Sequence, residues 1–473
     1  TMKLKYIIYL GAVAFLLTNC GLKDRYEQPK IEEESQKGIV RDNVSRDSVS
    51  LADISWKSFF TDPQLQSLIE EGLKNNYNLQ NAVLQIAAAE AGYRQSKQAF
   101  FPTLNFAPTV TANKTSKNSL NFPSNININL KTTTVSLGFT TNWEIDIWGK
   151  LASQKRANFA NWLSMQASKN AVQTALIASI ANAYYSLLAL DRQLQVTEET
   201  IRLREAAVVT LKALNISSST TSADVAQAEA NLYAAKVTIP EIKQAIREME
   251  NLICTLIASP LKEIPRGALD NQTMNKELKT GVPMLLLSNR PDVFAAEMNF
   301  RKEYELVNVA KASFYPSLNI NSGSIGISAL TTRTLFDINS FFGNLVAGIT
   351  QPIFNRGTLK ANLRQQRVRQ DIALNSFKNT LIQAGQEVSN AMYAYQTIED
   401  KKEFREKQVE SLMKAVEANR KLLEFSSRTT YTDVLVSEQN LIVAQLSQIN
   451  DQLLQYKAMI ELYRALGGGW KGE

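Results

Sequence analysis

The chain carries one unit twice, about 210 residues apart. Asn75–Asn105 aligns without a gap on Asn289–Asn319, most clearly where Ala99-Phe100-Phe101-Pro102-Thr103-Leu104-Asn105 meets Ser313-Phe314-Tyr315-Pro316-Ser317-Leu318-Asn319. Further on, Ile180-Ala181-Asn182-Ala183 matches Val388-Ser389-Asn390-Ala391. Ser217-Ser218 and Asp224-Val225 match Ser426-Ser427 and Asp433-Val434. A duplicated unit repeats a shape around an axis more naturally than it builds one catalytic centre.

Each unit opens with a helical stretch, near 65–99 and 289–314, closed by Phe-Pro or Tyr-Pro because proline disfavours helix in the residue before it. A strand pair follows. In the first (103–147), Leu104, Phe106, Val110 and Ala112 alternate with Thr103, Asn105, Thr109 and Thr111. On the return strand Val135, Leu137, Phe139, Trp143, Ile145 and Ile147 share one face, against Ser136, Gly138, Thr140, Asn142, Glu144 and Asp146. Period-two alternation with an aromatic-rich apolar face fits a membrane barrel with lipid outside and water inside, and also a half-buried strand of a soluble sheet. The Asn/Ser/Lys-rich run Asn113–Asn129 reads as an exposed loop. The second pair (317–353), with strands near 317–327 and 341–353, alternates less cleanly.

Long helical runs then cover about 150–213 and 358–426, each on the order of 100 Å at 1.5 Å per residue. After turns at Asn215–Ser222 and Ser426–Thr432, shorter helices return. The first carries Val225, Ala228, Leu232, Ala235, Ile239, Ile242, Ile246, Met249, Ile253 and Leu256 at 3-4 spacing. The second carries Leu435, Ile442, Leu446, Ile449, Leu453, Tyr456, Ile460 and Tyr463, with Gln439 its only polar member. These are coiled-coil seams, and Pro240 is expected to bend or interrupt the first.

Composition removes most chemistry. There is no histidine, the commonest general base and metal ligand, and only two cysteines, Cys20 and Cys254. No catalytic residue, metal or cofactor is expected. The net charge of +7 comes without a dense Lys/Arg run or a nucleic-acid motif, so it reads as solvated surface. Four strands are too few to close a barrel, since single-chain barrels start at eight. Open sheet edges are not tolerated in lipid. If the strands lie in a membrane, several chains share one barrel, and the helices continue it as a tube.

With Thr1 set aside ahead of the methionine, Met2–Lys5 is short and basic, and the twelve apolar residues Tyr6–Leu17 are too few to span a bilayer but fit a secretory leader (1–19). Leu16-Leu17-Thr18-Asn19-Cys20 resembles a bacterial lipobox, which implies lipidation of Cys20; Asn19 departs from the usual small residue. Residues 20–64 then form a lipid anchor and extended tether leading to repeat 1 (65–258), a connector (259–288), repeat 2 (289–466) and a tail (467–473).

Trp56-Lys57-Ser58-Phe59-Phe60-Thr61-Asp62-Pro63-Gln64-Leu65, Trp143-Glu144-Ile145-Asp146-Ile147-Trp148-Gly149, Asn289-Arg290-Pro291-Asp292-Val293, Pro352-Ile353-Phe354-Asn355-Arg356-Gly357 and Ala465-Leu466-Gly467-Gly468-Gly469-Trp470 together resemble the TolC-like outer-membrane factors, lipoprotein branch. The resemblance covers nearly everything after Cys20. It implies a mainly α fold with a membrane β part: a homotrimeric, 12-stranded barrel continued by a periplasmic helical coiled-coil barrel. It also implies a duct for efflux rather than an enzyme, docked to a periplasmic adaptor and an inner-membrane transporter of the RND type. A protein-secretion duct and a lipid-tethered coiled coil without a pore are the alternatives. The constriction is expected near Asp433, Ser437 and Asn440, with Thr430 and Tyr431 beside the turn. The family often has an acid at the position of Ser437 and an arginine at that of Asn440. Asp224 is a further gate candidate, although a helix N-terminal acid is the simpler reading. Docking is expected at the tip turns, through Ser217, Ser218, Ser219, Arg428 and Thr429.

Overall fold

A computed structural model describes residues 26–29, 54–116, 130–217, 220–273, 289–425 and 430–471. Cys20, Ser218, Ser219, Arg428 and Thr429 lie outside them. In chain order the elements are helices α1 (Trp56–Phe59), α2 (Pro63–Asn75) and α3 (Tyr77–Gln98), and strands β1 (Thr103–Phe106), β2 (Thr109–Lys114) and β3 (Lys131–Ile145). Next come α4 (Lys150–Ile216), α5 (Ser222–Leu256), α6 (Pro291–Ala312), β4 (Ser317–Ala329), β5 (Phe341–Asn344) and β6 (Ala347–Thr350). The last two are α7 (Thr358–Phe425) and α8 (Tyr431–Ala465). α4 and α7 have 67 and 68 residues, and α5 and α8 have 35 each. The described residues fall into two compact units, one drawn from 1–29, 87–164 and 297–376, the other from 30–86, 165–296 and 377–473.

The first unit holds one antiparallel sheet. β1 and β2 pair successively with β3, β3 pairs with β4, and β4 pairs with β5 and β6. The path is thus four strands wide, its outer members broken at Ala107-Pro108 and Leu345-Val346. The second outer strand stops at Thr350, short of the expected 353, because Pro352 has no N–H to give a ladder. Register sorts the residue types by face. Val110, Val135 and Ala329 form one row across the strands, as do Phe106, Phe139 and Ile325, Leu137, Ile327 and Phe341, and Ile145, Leu318 and Ile349. Rows on the other side join Thr109, Ser136 and Ser328, and Asn105, Thr140, Ser324 and Asn344; the Ser136 and Ser328 hydroxyls are 2.9 Å apart. The apolar face is bare: Leu104 and Val110 are 71% exposed and Ile349 72%.

The tryptophan motif fixes where strands give way to helices. Trp143 Nε1 donates to Phe100 O (2.9 Å) and Trp148 Nε1 to Pro316 O (2.7 Å). The Asp146 carboxylate accepts from Leu151 N–H (3.1 Å) and Ala152 N–H (2.9 Å), capping orphan donors of α4.

In the second unit the core gathers Trp56, Phe59 and Phe60, the α4 stretch around Tyr184 and Tyr185, and the end of α8. Phe59 stacks on Tyr463 at 4.3 Å and Tyr185 on Tyr456 at 4.5 Å. Asp62 receives the Tyr184 hydroxyl (2.6 Å) and the Gln272 amide (2.8 Å), and Arg266 bridges Asp191 and Glu250. Of the described helices only α4 has a stretch apolar enough to cross a membrane, and 72% of that stretch is buried, as a core helix requires.

The return helices end against the starts of the pre-strand helices. The expected helix over 65–99 is divided at Asn76, whose Oδ1 accepts from Leu79 N–H (3.0 Å) and whose Nδ2 donates to Leu256 O at the end of α5 (2.8 Å). Likewise, Arg290 at the start of α6 donates to Ala465 O at the end of α8 (3.0 Å), and Trp470 Nε1 donates to Asn289 O (3.2 Å). Gly467 has φ +87, and a Cβ there would stand 2.6 Å from Asn289 O. Pro240 does not interrupt α5, which runs through it. Pro240 itself is exposed. The carbonyl deprived of its N–H partner can turn to water, and the seam residues Ala228, Leu232, Ala235 and Ile253 hold the helix by burial.

Candidate functional site at the hairpin tips

The α4–α5 and α7–α8 hairpins each restart with the same sequence device. Thr221 Oγ1 accepts from Asp224 N–H and Asp224 Oδ2 accepts from Thr221 N–H (3.0 Å) and Oγ1 (2.7 Å). Thr430 and Asp433 repeat this with 2.9 and 2.7 Å. These are capping boxes, which satisfy donors that the helix start leaves unbonded. Hydrogen bonds from Thr221, and from the Thr430 backbone and hydroxyl, hold both carboxyls below the ordinary aspartate range. Asp224 and Asp433 therefore share one structural duty, and Asp433 is also solvent-exposed.

The two hairpins meet in a small apolar cluster of Val208 and Leu211 from α4, Ala228 and Leu232 from α5, and Tyr431 and Leu435 from α8. Tyr431 is pushed up to about 12 by burial and by Glu438, with Arg204 and Arg420 opposing. Ser437, expected beside Asp433 and Asn440, is buried, and its hydroxyl donates to Val434 O (2.8 Å) on its own helix; Asn440 is exposed. The structure thus brings Thr430, Tyr431 and Asp433 to one helix start, and turns Ser437 toward packed side chains while Asp433 and Asn440 face solvent. Ser217 Oγ donates to Leu214 O (2.8 Å), closing the last turn before the first tip.

Sequence reasoning missed the residue that joins three helices here. Arg204, only 7% exposed, donates from Nη1 to Asn231 O on α5 (2.6 Å) and from Nη2 to Gln439 Oε1 on α8 (2.8 Å). Both acceptors are neutral. Close by, Arg420 holds Glu438 (2.6 Å), tying α7 to α8. The available signal was Gln439 itself, the polar interruption of an otherwise apolar seam. Exposed pairs Lys212–Glu229 and Lys236–Glu205, both 2.6 Å, join α4 to α5 and by their exposure contribute little. Among the described residues the arrangement is a polar and apolar junction between two helix pairs.

Comparison with known proteins agrees with the sheet and the hairpins. Residues 68–258 and 282–468 each match the family described as outer membrane efflux protein, and the chain belongs to that family. It is 28% identical over 488 residues to the toluene efflux pump outer membrane protein TtgC of Pseudomonas putida, covering 98% of this chain and 96% of that one. It is 26% identical over 460 residues to the cation efflux system protein CusC of Escherichia coli K12, covering 97% and 98%. Its structure resembles the open-state MtrE outer membrane channel of Neisseria gonorrhoeae with a TM-score of 0.83 at 26% identity, covering 95% of this chain and 98% of that one.

Proposed function

We propose that this outer-membrane efflux protein is the passive exit duct of a tripartite pump, a homotrimer in which three four-stranded sheets close a 12-stranded barrel and the long helices continue it through the periplasm. The observation that carries this is the sheet: one face is apolar in register and uncovered, the other polar, and both outer strands offer unpaired edges. Lipid tolerates the first feature and forbids the last unless copies pair. No catalysis is required of such a duct. Energy enters at an inner-membrane transporter, of the RND type, through a periplasmic adaptor that meets the tip turns at Ser217, Ser218, Ser219, Arg428 and Thr429. Cys20 carries the acyl anchor. Opening is a change between two packings of the tip helices, with Asp433 and Asn440 toward the passage and Arg204, Tyr431 and Ser437 in the packing that changes. Relatives of similar identity are named for toluene and for cations, which supports a duct that leaves cargo selection to its partners.

Single-channel recording in planar bilayers, on detergent-purified protein whose mass is read by native mass spectrometry, tests the proposal. Discrete conductance steps from a trimer are expected; a folded trimer that never conducts would overturn it. Arg428→Glu should abolish adaptor capture and export while the trimer keeps its thermal transition, and unimpaired export would remove the docking assignment.

A further inference from the structure

Residues Tyr26–Pro29 lie against one face of α6. The Tyr26 ring meets Tyr304 edge-on at 5.6 Å and Phe300 at 6.1 Å, and the Arg301 guanidinium carbon sits 5.3 Å from its centroid. Its hydroxyl donates to Glu297 Oε1 (3.3 Å), and Gln28 Nε2 donates to Glu297 Oε2 (3.1 Å). Positions 297, 300, 301 and 304 are spaced i, i+3, i+4 and i+7, so one helix stripe supplies these contacts. Burial and the facing Glu297 carboxylate, against the weaker opposing pull of Arg301, raise the phenol's pKa and keep it a donor. A segment with no secondary structure of its own is thus seated by an aromatic pair, a cation over the ring and a shared carboxylate.

The seat lies at a telling distance from both the membrane and the anchor. Phe300 is twelve residues before the end of α6 at Ala312, about 18 Å of helix at 1.5 Å per residue. β4 opens at Ser317, directly beyond. Cys20 is six residues before Tyr26, which spans at most about 20 Å when extended. We infer that Glu297, Phe300, Arg301 and Tyr304 form a dedicated seat for the lipid tether, which captures Tyr26 and Gln28 so that the acylated Cys20 reaches the foot of the strands and little further. The seat makes the anchor a ruler rather than a loose leash. This inference rests on the acylation of Cys20 proposed above.

Two measurements on the full-length protein in cells test it. A photo-crosslinking p-benzoylphenylalanine at position 26 should give an intramolecular adduct to the peptide spanning Glu297–Tyr304, mapped by mass spectrometry. Deleting Leu22–Arg25 should cause a severalfold loss of protein from outer-membrane fractions, because the seated tether no longer reaches. The same deletion with Tyr26→Ala and Gln28→Ala should recover the wild-type amount, because unseating Tyr26 returns slack. Absence of the adduct, or a deletion equally harmful with and without the seat, overturns the inference. Labelling with a clickable palmitate analogue, lost in Cys20→Ala, reports acylation separately: an adduct without label would defeat the acylation and leave the seat.

Discussion

Arg290 donates from Nη1 to the carbonyl of Ala465 at 3.0 Å, across the joint between the last turn of α8 and the first residues of α6, while its other nitrogens hold Asp292. A second carboxylate, Glu387 of α7, stands 2.8 Å away. One buried guanidinium therefore satisfies the end of one helix, caps the start of another and binds a third. Arg290→Ala should cost about 1.5 to 3 kcal/mol, since it leaves the Ala465 carbonyl and Asp292 without their partner, while Glu387 keeps Arg464. Thermal denaturation of the protein followed by circular dichroism reads the loss.

Gly467 makes that joint possible. A residue with a side chain would pay for the left-handed conformation at φ +87 and drive its Cβ into Asn289 O. Gly467→Ala should destabilise the protein by about 2 kcal/mol or more, whereas alanine at Gly348, where a Cβ meets nothing within 4 Å, should leave the melting temperature within a degree or two.

At the tips, Arg204→Ala removes both bonds that bridge α4 to α5 and α8. The junction weakens by about 1.5 to 3 kcal/mol, the scale of hydrogen bonds to a charged group. Bilayer recordings should show a higher open fraction, and cells should become sensitive to a bulky antibiotic that the outer membrane normally excludes. Gln439→Ala should shift both in the same direction by a smaller amount. An unchanged open fraction in both variants would remove Arg204 from the junction.

The twin capping boxes carry a pH signature. Asp224 and Asp433 have folded-state pKa values depressed by their threonine partners, so their contribution is present above the unfolded aspartate value of about 4 and is lost as pH falls through the folded value. Amide protection at Ser222–Asp224 and Tyr431–Asp433, taken as a factor relative to the intrinsic exchange rate at each pH, should therefore fall as pH drops from about 5 through the folded value. In Thr221→Ala and Thr430→Ala, each costing about 1 kcal/mol, that protection should be low already at pH 5.

Much of this architecture is written in local pattern. The 3-4 seams of α5 and α8 are read directly because burial of one stripe demands that spacing, and the alternation from Val135 to Ile145 because a strand shows its faces in turn; Ile147, expected on the same face, lies past the end of β3 in the turn before α4. The proposed gate side chains were harder. Asp433, Ser437 and Asn440 stand at i, i+4 and i+7 and share a face on a helical wheel, yet Ser437 is covered by neighbouring helices while the other two are not. Periodicity gives the angle of a residue but not which neighbour covers it. Arg204 was invisible for a related reason: its acceptors lie 27 and 235 positions away, and one is a main-chain oxygen that no side-chain motif records. Pro240 does not end its helix because α5 is held by its seam.

The two bare edges of the sheet bear on how the protein reaches its membrane. A solitary copy inserted in a bilayer would leave the outward N–H and C=O groups of β1, β2, β5 and β6 facing hydrocarbon, each unsatisfied group costing several kcal/mol. For the proposed trimer, encounter between newly exported copies would have to precede or accompany entry into lipid. Its biogenesis would then be concentration-dependent, with unassembled subunits exposed to periplasmic proteases until they find one another.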